Sequence, residues 1–204
     1  MKPLPAAKII LFFVKYPEPG KVKTRLARQV GSEEAAHLYR GLVEKNLKVL
    51  TSLQKDGIQT LVAFDPPDKK PAVEKWLVSA SGFFPQEGNI LGERLVHAFA
   101  YGFAHGGQIL ALGSDTQGLT REILLQGFEG LETRDVVVGP ARDGGYYLIG
   151  LKKACPALFE DMPWSTPAVL AKTLARIDQE GLRCTLLPEL NDLDEAEDLI
   201  QKEM

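Results

Sequence analysis

The sequence predicts an α/β protein with a mainly parallel sheet covered by helices on both faces. Short apolar segments rich in β-branched residues alternate with longer segments whose apolar residues recur at helical spacing. Unbroken apolar strands are typical of a sheet buried on both faces, and the intervening helices let successive strands run parallel. Because no linker, repeat or low-complexity stretch interrupts this pattern, we expect one domain over residues 1–204.

The elements follow in order along the chain. A strand is predicted at 8–14 and a helix at 32–56, where the helical spacing ends at Gly57. Further strands are predicted at 58–64, 109–112, 135–138 and 146–151, and further helices at 70–79, 91–105, 120–131, 168–180 and 195–202. Thr120 is the expected N-cap of its helix. In such sheets ligands bind beyond the carboxyl ends of the strands, so the loops there are the candidate site.

Composition excludes several classes of protein. A content of 45% apolar and 25% charged residues is ordinary for a globular protein, and a net charge of −3 argues against bulk nucleic-acid binding. The apolar run at 9–14 is far shorter than the ~20 residues of a membrane span, and no signal cleavage site follows it. We therefore expect a cytoplasmic protein. Cys155 and Cys184 are isolated and predict neither a disulfide nor a zinc site.

The segment 15–25, after the first strand, is rich in cations. Pro19 and Gly20 turn a stiff backbone, while Lys15, Lys23 and Arg25 supply positive charge. An arginine can hold two phosphate oxygens at once. The Gly-Lys-Ser/Thr pattern of a P-loop is missing. The segment predicts a phosphate-binding loop, with a solvated basic loop as the alternative.

The segments 113–119 and 191–194 carry candidate metal ligands. Asp115 follows the strand at 109–112, where a carboxylate can reach Mg²⁺ or Mn²⁺ bridging two phosphates. Its neighbour Ser114 is assigned to phosphate binding, and a turn cap is the alternative for both residues. Asp192 and Asp194 precede a predicted helix. Helix capping is the simpler interpretation there, and a second metal ligand is the other.

The segment 139–145 is the candidate acceptor side. Gly144 and Gly145 leave space beside Asp143, which could bind a hydroxyl or act as a general base. A hairpin turn is the alternative, because Asp-Gly between apolar strands favours one, and the two interpretations are compatible. Tyr146 and Trp164 are assigned to the same side, although packing is the ordinary role of a tryptophan.

Histidines do not add to the candidate site. His37, His97 and His105 are scattered along predicted helices, and their spacing predicts neither a metal cluster nor a catalytic triad.

Six segments in order resemble one family over nearly the whole chain. They are 17–20 with 23–26, 91–95, 113–115, 143–150, 164–166, and 192–194 with 197–199. In these segments the sequence resembles the small bacterial glycosyltransferase-like proteins of the nucleotide-diphospho-sugar transferase (type A glycosyltransferase) superfamily, once classed as a domain of unknown function. The resemblance implies a three-layer Rossmann-like fold, a nucleotide pocket at the first loop, and a metal ligand at Asp115. Gly92 and Arg94 are also assigned to nucleotide binding.

Related guanylyltransferases and cytidylyltransferases look similar in layout. Their late Val-Asp-Thr motif supplies another metal ligand, which maps onto Asp194. The sequence departs from the family pattern at Gln117, where proline is usual, at Asn89, where an acid is usual, and at Glu195, where threonine is usual. These departures leave the metal ligands in place and affect loop geometry and the acceptor side.

The resemblance implies a transferase that uses Mg²⁺ or Mn²⁺ and moves a sugar from a nucleotide sugar to a small-molecule acceptor. Asp115, with Asp194, would hold the metal. Lys15, Lys23 and Arg25 would neutralise the departing diphosphate, and Asp143 would orient or deprotonate the acceptor. The alternative is a nucleotidyltransferase that takes a nucleoside triphosphate and a phosphorylated acceptor and releases pyrophosphate. A third hypothesis is a regulatory module that binds a nucleotide and does not turn it over.

Overall fold

Nine strands form two sheets in residues 7–193, the part of the chain that the computed structural model describes. They are β1 Lys8–Lys15, β2 Ile58–Asp65, β3 Gly82–Pro85, β4 Gln108–Gly113, β5 Thr116–Gln117, β6 Val136–Pro140, β7 Tyr146–Leu151, β8 Cys184–Leu186 and β9 Asn191–Asp192. The main sheet has the order β3-β2-β1-β4-β7-β6-β8, and β5 pairs with β9 in a separate antiparallel ribbon. In the main sheet, β7 runs antiparallel to both of its neighbours, and the other pairs are parallel.

Six α-helices cover the two faces of the main sheet within the described part. They are α1 Thr24–Val30, α2 Ser32–Thr51, α3 Lys70–Trp76, α4 Leu91–Phe103, α5 Arg121–Thr133 and α6 Val169–Gln179. Alternate residues of β1 enter different cores: Ile10 and Phe12 pack with residues of α2 and α5, whereas Ile9 and Leu11 pack with residues of α4 and α6. Burial on both faces confirms the predicted three-layer, mainly parallel fold.

Most of the predicted elements are present, with shifted ends, and β7 matches its predicted bounds. Thr120 caps α5 as expected, because its side chain accepts a hydrogen bond of 3.3 Å from the Ile123 amide. The helix predicted at 32–56 was wrong at its end: α2 stops at Thr51, and a 3-10 turn over Gln54–Asp56 leads to Gly57, whose φ is +76°. The helix predicted at 195–202 lies outside the described residues.

Several short elements escaped the sequence patterns. Helix α1 lies in the segment predicted as a loop, and Leu26 is its buried residue. Strands β3 and β8 span only four and three residues, so neither forms an apolar run long enough to stand out. The antiparallel direction of β7 follows from the turn at 141–145, which joins β6 to β7 without a crossover helix.

The sheet topology places three candidate loops at one edge. β1 and β4 are parallel neighbours, so the loops after Lys15 and Gly113 leave the same edge of the sheet. β7 is antiparallel to β4, with Leu112 opposite Leu148, so the turn that precedes β7 lies at that edge too. Within residues 7–193, no helix has the length and apolarity needed to cross a membrane.

Candidate active site

A cleft of about 900 Å³ opens at the carboxyl edge of the sheet. It is lined by the segments after β1 and β4, the start of α4, the turn before β7 and the segment 165–167. The lining residues are Phe13, Lys15, Lys21, Val22, Lys23, Thr24, Arg25, Tyr39, Gln86, Asn89, Leu91, Arg94, Gly113, Ser114, Asp115, Asp143, Ser165, Thr166 and Pro167. The cleft therefore brings together the cationic loop, the candidate metal ligand and the candidate acceptor residue.

Lys23 and Asp115 form an ion pair in the middle of this cleft. Their Nζ and Oδ2 atoms lie 2.6 Å apart, and only 6% of the lysine side chain is exposed, against 35% of the aspartate side chain. The backbone of Lys23 is in the left-handed region, with φ 46° and ψ 48°. A lysine in that conformation is strained, and such strain is common where a side chain is held for a function. Here it places the lysine ammonium against the Asp115 carboxylate.

Helix α2 holds the loop that carries Asp115. The Asn46 amide, which is 1% exposed, donates to the backbone carbonyls of Ser114 at 3.1 Å and Thr116 at 2.8 Å. The two bonds therefore flank Asp115 on both sides. Two turns earlier on the helix, the Tyr39 hydroxyl lies 2.8 Å from Ser114 Oγ and accepts a hydrogen bond from the Lys15 amide at 3.0 Å. Burial raises the pKa of Tyr39 to about 12, so it bonds as a neutral hydroxyl.

Asp192 reaches the same site from the end of the described chain. The pairing of β5 with β9 sets Thr116 opposite Asp192, and the threonine hydroxyl donates to Asp192 Oδ1 at 3.0 Å. The Leu193 amide donates to the Asp115 carbonyl at 3.0 Å. Burial, and then the negative charge of Asp115, raise the pKa of Asp192 to about 7, with a further contribution from Asp143. Asp192 therefore lies close to Asp115 at this edge of the sheet, whereas Asp194 lies outside the described residues.

The oxygen donors around Asp115 fit a hard divalent cation. Residues 7–193 contain no group of three or more His, Cys, Asp or Glu side chains arranged to hold a metal. Asp115 and Asp192 nevertheless interact electrostatically, and Mg²⁺ is commonly held by one or two carboxylates together with substrate phosphates and water. The Lys23 ammonium beside Asp115 shows that this position accepts a cation.

Arg94 is turned toward the β2 and β3 side of the cleft. Its guanidinium donates to Gly88 O at 3.0 Å and to Gln86 Oε1 at 3.1 Å, and it lies 3.5 Å from the Asp65 carboxylate. Gln86 in turn donates to the Ala63 carbonyl at 2.9 Å. These contacts hold the loop before α4 against the ends of the neighbouring strands.

The turn that carries Asp143 is tightly packed. Asp143 Oδ1 accepts from the Gly145 amide at 2.8 Å, which orients the carboxylate. Gly144 has a φ of +86°, and a Cβ there would lie 2.3 Å from the Pro167 carbonyl oxygen. The Gly144 carbonyl also accepts from the Leu170 amide at 2.8 Å. Only glycine fits this contact, so the turn and the segment 165–167 form one wall of the cleft.

The predicted site residues fall into two groups. Lys15, Lys23, Arg25, Arg94, Ser114, Asp115 and Asp143 line the cleft, whereas Pro19, Gly20, Gly92, Gly144, Gly145, Tyr146 and Trp164 do not. Gly92 lies beneath Trp164, whose Nε1 would be 3.1 Å from a Cβ at that position. Trp164 in turn contacts Tyr146 edge-on, with ring centroids 6.3 Å apart. Gly92, Trp164 and Tyr146 therefore pack together outside the cleft lining.

Sequence reasoning overlooked Tyr39, Asn46 and Gln86, and it favoured capping for Asp192. One signal was available for Asn46: a polar residue stands among Leu42, Val43 and Leu50 on the buried side of α2. Such a residue usually has a hydrogen-bond partner that explains it. The contacts of Gln86 depend on distant segments and leave no local pattern.

The profile of the family DUF2064, described as "Uncharacterized protein conserved in bacteria", matches residues 48–166. The chain belongs to this family. A solved protein of Desulfovibrio desulfuricans G20, named as a candidate nucleotide-diphospho-sugar transferase, is 37% identical, with a TM-score of 0.86. That alignment covers 93% of this chain and 83% of the other. No curated protein matches the sequence.

More distant solved structures share the fold. The glucosyl-3-phosphoglycerate synthase of Mycobacterium tuberculosis, solved with Mn²⁺, UDP and glucosyl-3-phosphoglycerate, is 13% identical with a TM-score of 0.58, over 96% of this chain and 75% of that one. The 4-diphosphocytidyl-2C-methyl-D-erythritol synthase of Anaerococcus prevotii DSM 20548 is 12% identical with a TM-score of 0.61, over 96% of each chain. These neighbours show that the DUF2064 protein has the fold of glycosyltransferases and nucleotidyltransferases, and the relative that is 37% identical supports a transferase.

Proposed function

We propose that this DUF2064 protein transfers a sugar from a nucleotide diphosphate donor to a small-molecule acceptor with the help of Mg²⁺ or Mn²⁺. The observation that carries the proposal is the placement of Asp115 at the end of β4, facing the cationic segment 15–25 across one cleft. A diphosphate needs positive charge around it, and a divalent cation on it needs hard oxygen ligands. Both requirements meet in this cleft.

Three groups of residues have separate roles in the proposed reaction. Lys15, Lys23 and Arg25 bind the diphosphate and stabilise the charge that develops on it as the bond to the sugar breaks. Asp115, with Asp192 or Asp194, would hold the metal, which supplies further charge neutralisation on the leaving group. Asp143, on the opposite wall, orients the acceptor hydroxyl and takes its proton.

The test is metal-dependent binding followed by turnover. Sugar nucleotides, nucleoside diphosphates and nucleoside triphosphates are added with Mn²⁺, Mg²⁺ or chelator, and the melting temperature is measured. A ligand at ~100 times its Kd stabilises by ~2.7 kcal/mol, a shift of roughly 5–11 °C for this size. A metal-dependent shift with one sugar nucleotide, and release of its nucleoside diphosphate, are the expected results.

Asp115→Asn is the decisive variant. It should abolish the metal-dependent shift and turnover, because the carboxylate at the end of β4 is lost. Asp178→Asn, on the exposed surface of α6, makes the same charge change away from the cleft and should behave as the unmodified protein. Undiminished metal-dependent turnover in Asp115→Asn would contradict the assignment.

Nucleotidyl transfer is the competing function, since a cytidylyl-type synthase shares the fold over 96% of both chains. A stabilising shift confined to triphosphates, with release of pyrophosphate, would replace our proposal with that one. Nucleotide binding without turnover on any acceptor would instead favour a regulatory module.

A further inference from the structure

The cleft is divided by charge along the sheet. One half is formed by the segments after β1 and β3, and its cations are Lys15, Lys21, Lys23, Arg25 and Arg94. The other half is formed by the turn before β7 and the segment 165–167, which contribute Asp143, Ser165, Thr166 and Pro167. Among the described residues, this second half is lined by a carboxylate and neutral side chains, without a lysine, arginine or histidine.

Two cations of the first half are engaged on their own side of the cleft. Arg94 is held toward β2 and β3 by Gln86 and Asp65, and Lys23 is paired with Asp115 at the boundary between the halves. Arg142, next to Asp143 in sequence, lies 3.5 Å from Glu189 and does not line the cleft. The described residues that line the second half therefore carry a net negative charge, which comes from Asp143.

This distribution distinguishes between acceptors. A phosphate monoester carries about −1.5 to −2 charges at pH 7 and needs cations or directed amides to replace its water. Against Asp143 it would meet repulsion instead. A neutral hydroxyl can donate a hydrogen bond to Asp143 Oδ2, while Asp143 Oδ1 accepts from the Gly145 amide.

Ser165 provides a second polar group on this wall. Its φ is +63°, and it is one of three non-glycine residues with positive φ in the described chain, together with Lys23 and Asp161. Its hydroxyl forms no hydrogen bond with any residue of 7–193, and its side chain is exposed to the cleft. Neighbouring bonds hold the strained backbone, among them Thr166 Oγ1 to the Pro163 carbonyl at 2.7 Å.

We infer that the acceptor is an uncharged, hydroxyl-bearing molecule that binds between Asp143 and Ser165. The inference rests on the proposed sugar transfer. The acceptor oxygen forms a bond to the anomeric carbon of the donor, the bond from that carbon to the diphosphate oxygen breaks, and its electron pair leaves with the nucleoside diphosphate. The acceptor proton passes to the Asp143 carboxylate, and the Ser165 hydroxyl bonds another hydroxyl of the acceptor.

Matched acceptors that differ by one phosphate test the charge argument. With the donor found by the stability screen and Mn²⁺, the pairs are glycerol and glycerol 3-phosphate, glucose and glucose 6-phosphate, and myo-inositol and inositol 1-phosphate. Release of nucleoside diphosphate is measured for each. The unphosphorylated member should show at least about tenfold higher kcat/KM, whereas equal rates or faster reaction of a phosphorylated member would overturn the inference.

A binding measurement tests whether the acceptor wall binds phosphate, and it needs no known acceptor. The protein is saturated with nucleoside diphosphate and Mn²⁺, which occupy the cationic half, and inorganic phosphate is titrated while the melting temperature is followed. No saturable shift is expected. A saturable shift that disappears in Thr166→Glu would place a phosphate site on the acceptor wall and overturn the inference. Failure of the proposed function is seen separately, as the absence of any metal-dependent shift with nucleotides in the first place.

Ser165→Gly separates the role of the hydroxyl from the strain. Glycine relieves the positive φ, so the melting temperature should rise by about 2–4 °C while KM for a hydroxyl acceptor rises about tenfold. Asp161→Gly is the matched control, because it relieves a φ of +49° outside the cleft lining and should raise the melting temperature without changing KM. An unchanged KM in Ser165→Gly would exclude contact between Ser165 and the acceptor.

Discussion

Asn46 links α2 to the loop of Asp115, and its replacement by leucine tests whether the loop depends on that link. Leucine keeps nearly the same volume but cannot donate to the carbonyls of Ser114 and Thr116. Each buried carbonyl left without a partner costs about 1–3 kcal/mol. Two carbonyls together set an upper range of about 6 kcal/mol, and relaxation of the loop should reduce the observed loss to roughly 2–4 kcal/mol.

The assay compares stability with metal binding. Urea unfolding should show the loss of free energy in Asn46→Leu, and the melting temperature should fall by roughly 4–16 °C. Mn²⁺ affinity, measured by electron paramagnetic resonance with nucleoside diphosphate present, should fall about 10–100-fold, as is usual when a residue that orients a metal ligand is lost.

Leu50→Ala is the matched control. Leu50 is fully buried one turn further along α2, and its truncation should cost about 2–5 kcal/mol by leaving a cavity without touching the loop. It should therefore lose stability and keep its Mn²⁺ affinity. If Asn46→Leu and Leu50→Ala lose the same stability and both keep full Mn²⁺ affinity, Asn46 does not position Asp115.

Three further results are expected. Lys23→Met should tighten Mn²⁺ binding to the nucleotide-free protein, because the ammonium 2.6 Å from Asp115 no longer competes with the metal for that carboxylate. The same variant should weaken diphosphate binding. An unchanged Mn²⁺ affinity, measured by electron paramagnetic resonance, would contradict this. Asp192→Asn should make the stability of the metal-free protein less dependent on pH between pH 4 and 7. The native pKa of Asp192, about 7, lies above the unfolded value of 3.8, so the unmodified protein loses stability as the pH rises through that window. Urea unfolding at several pH values measures this, and a variant with the same pH profile as the unmodified protein would refute the argument. Gly144→Ala should lower the melting temperature and acceptor turnover, since its Cβ would lie 2.3 Å from the Pro167 carbonyl oxygen at a φ of +86°. Gly181→Ala is the control: Gly181 also has a positive φ but has open space around it, so this variant should affect stability alone.

The sequence predicted the layered fold because that information is local. Runs such as Ile9–Leu11 in β1 are apolar on both alternating faces, which is what a strand buried under two helical layers requires. Loop chemistry is also visible locally: Asp115 directly follows an apolar strand, and the cations of 15–25 stand together in the chain. The hairpin alternative at Asp143-Gly144 already allowed the antiparallel direction of β7. The short strands β3 and β8 were missed, because pairing rather than composition defines them.

The tertiary structure alone decided which of these groups meet. Lys23 and Asp115 are 92 residues apart in sequence, and Asn46 lies 70 residues from Thr116, so no local pattern encodes either contact. Asp192 resembled a helix cap until the pairing of β5 with β9 set it beside Thr116. Apolar periodicity specifies which faces are buried, whereas the sheet order and the pairing register specify which loop faces which. The charge division of the cleft therefore became visible only once the strands were placed side by side.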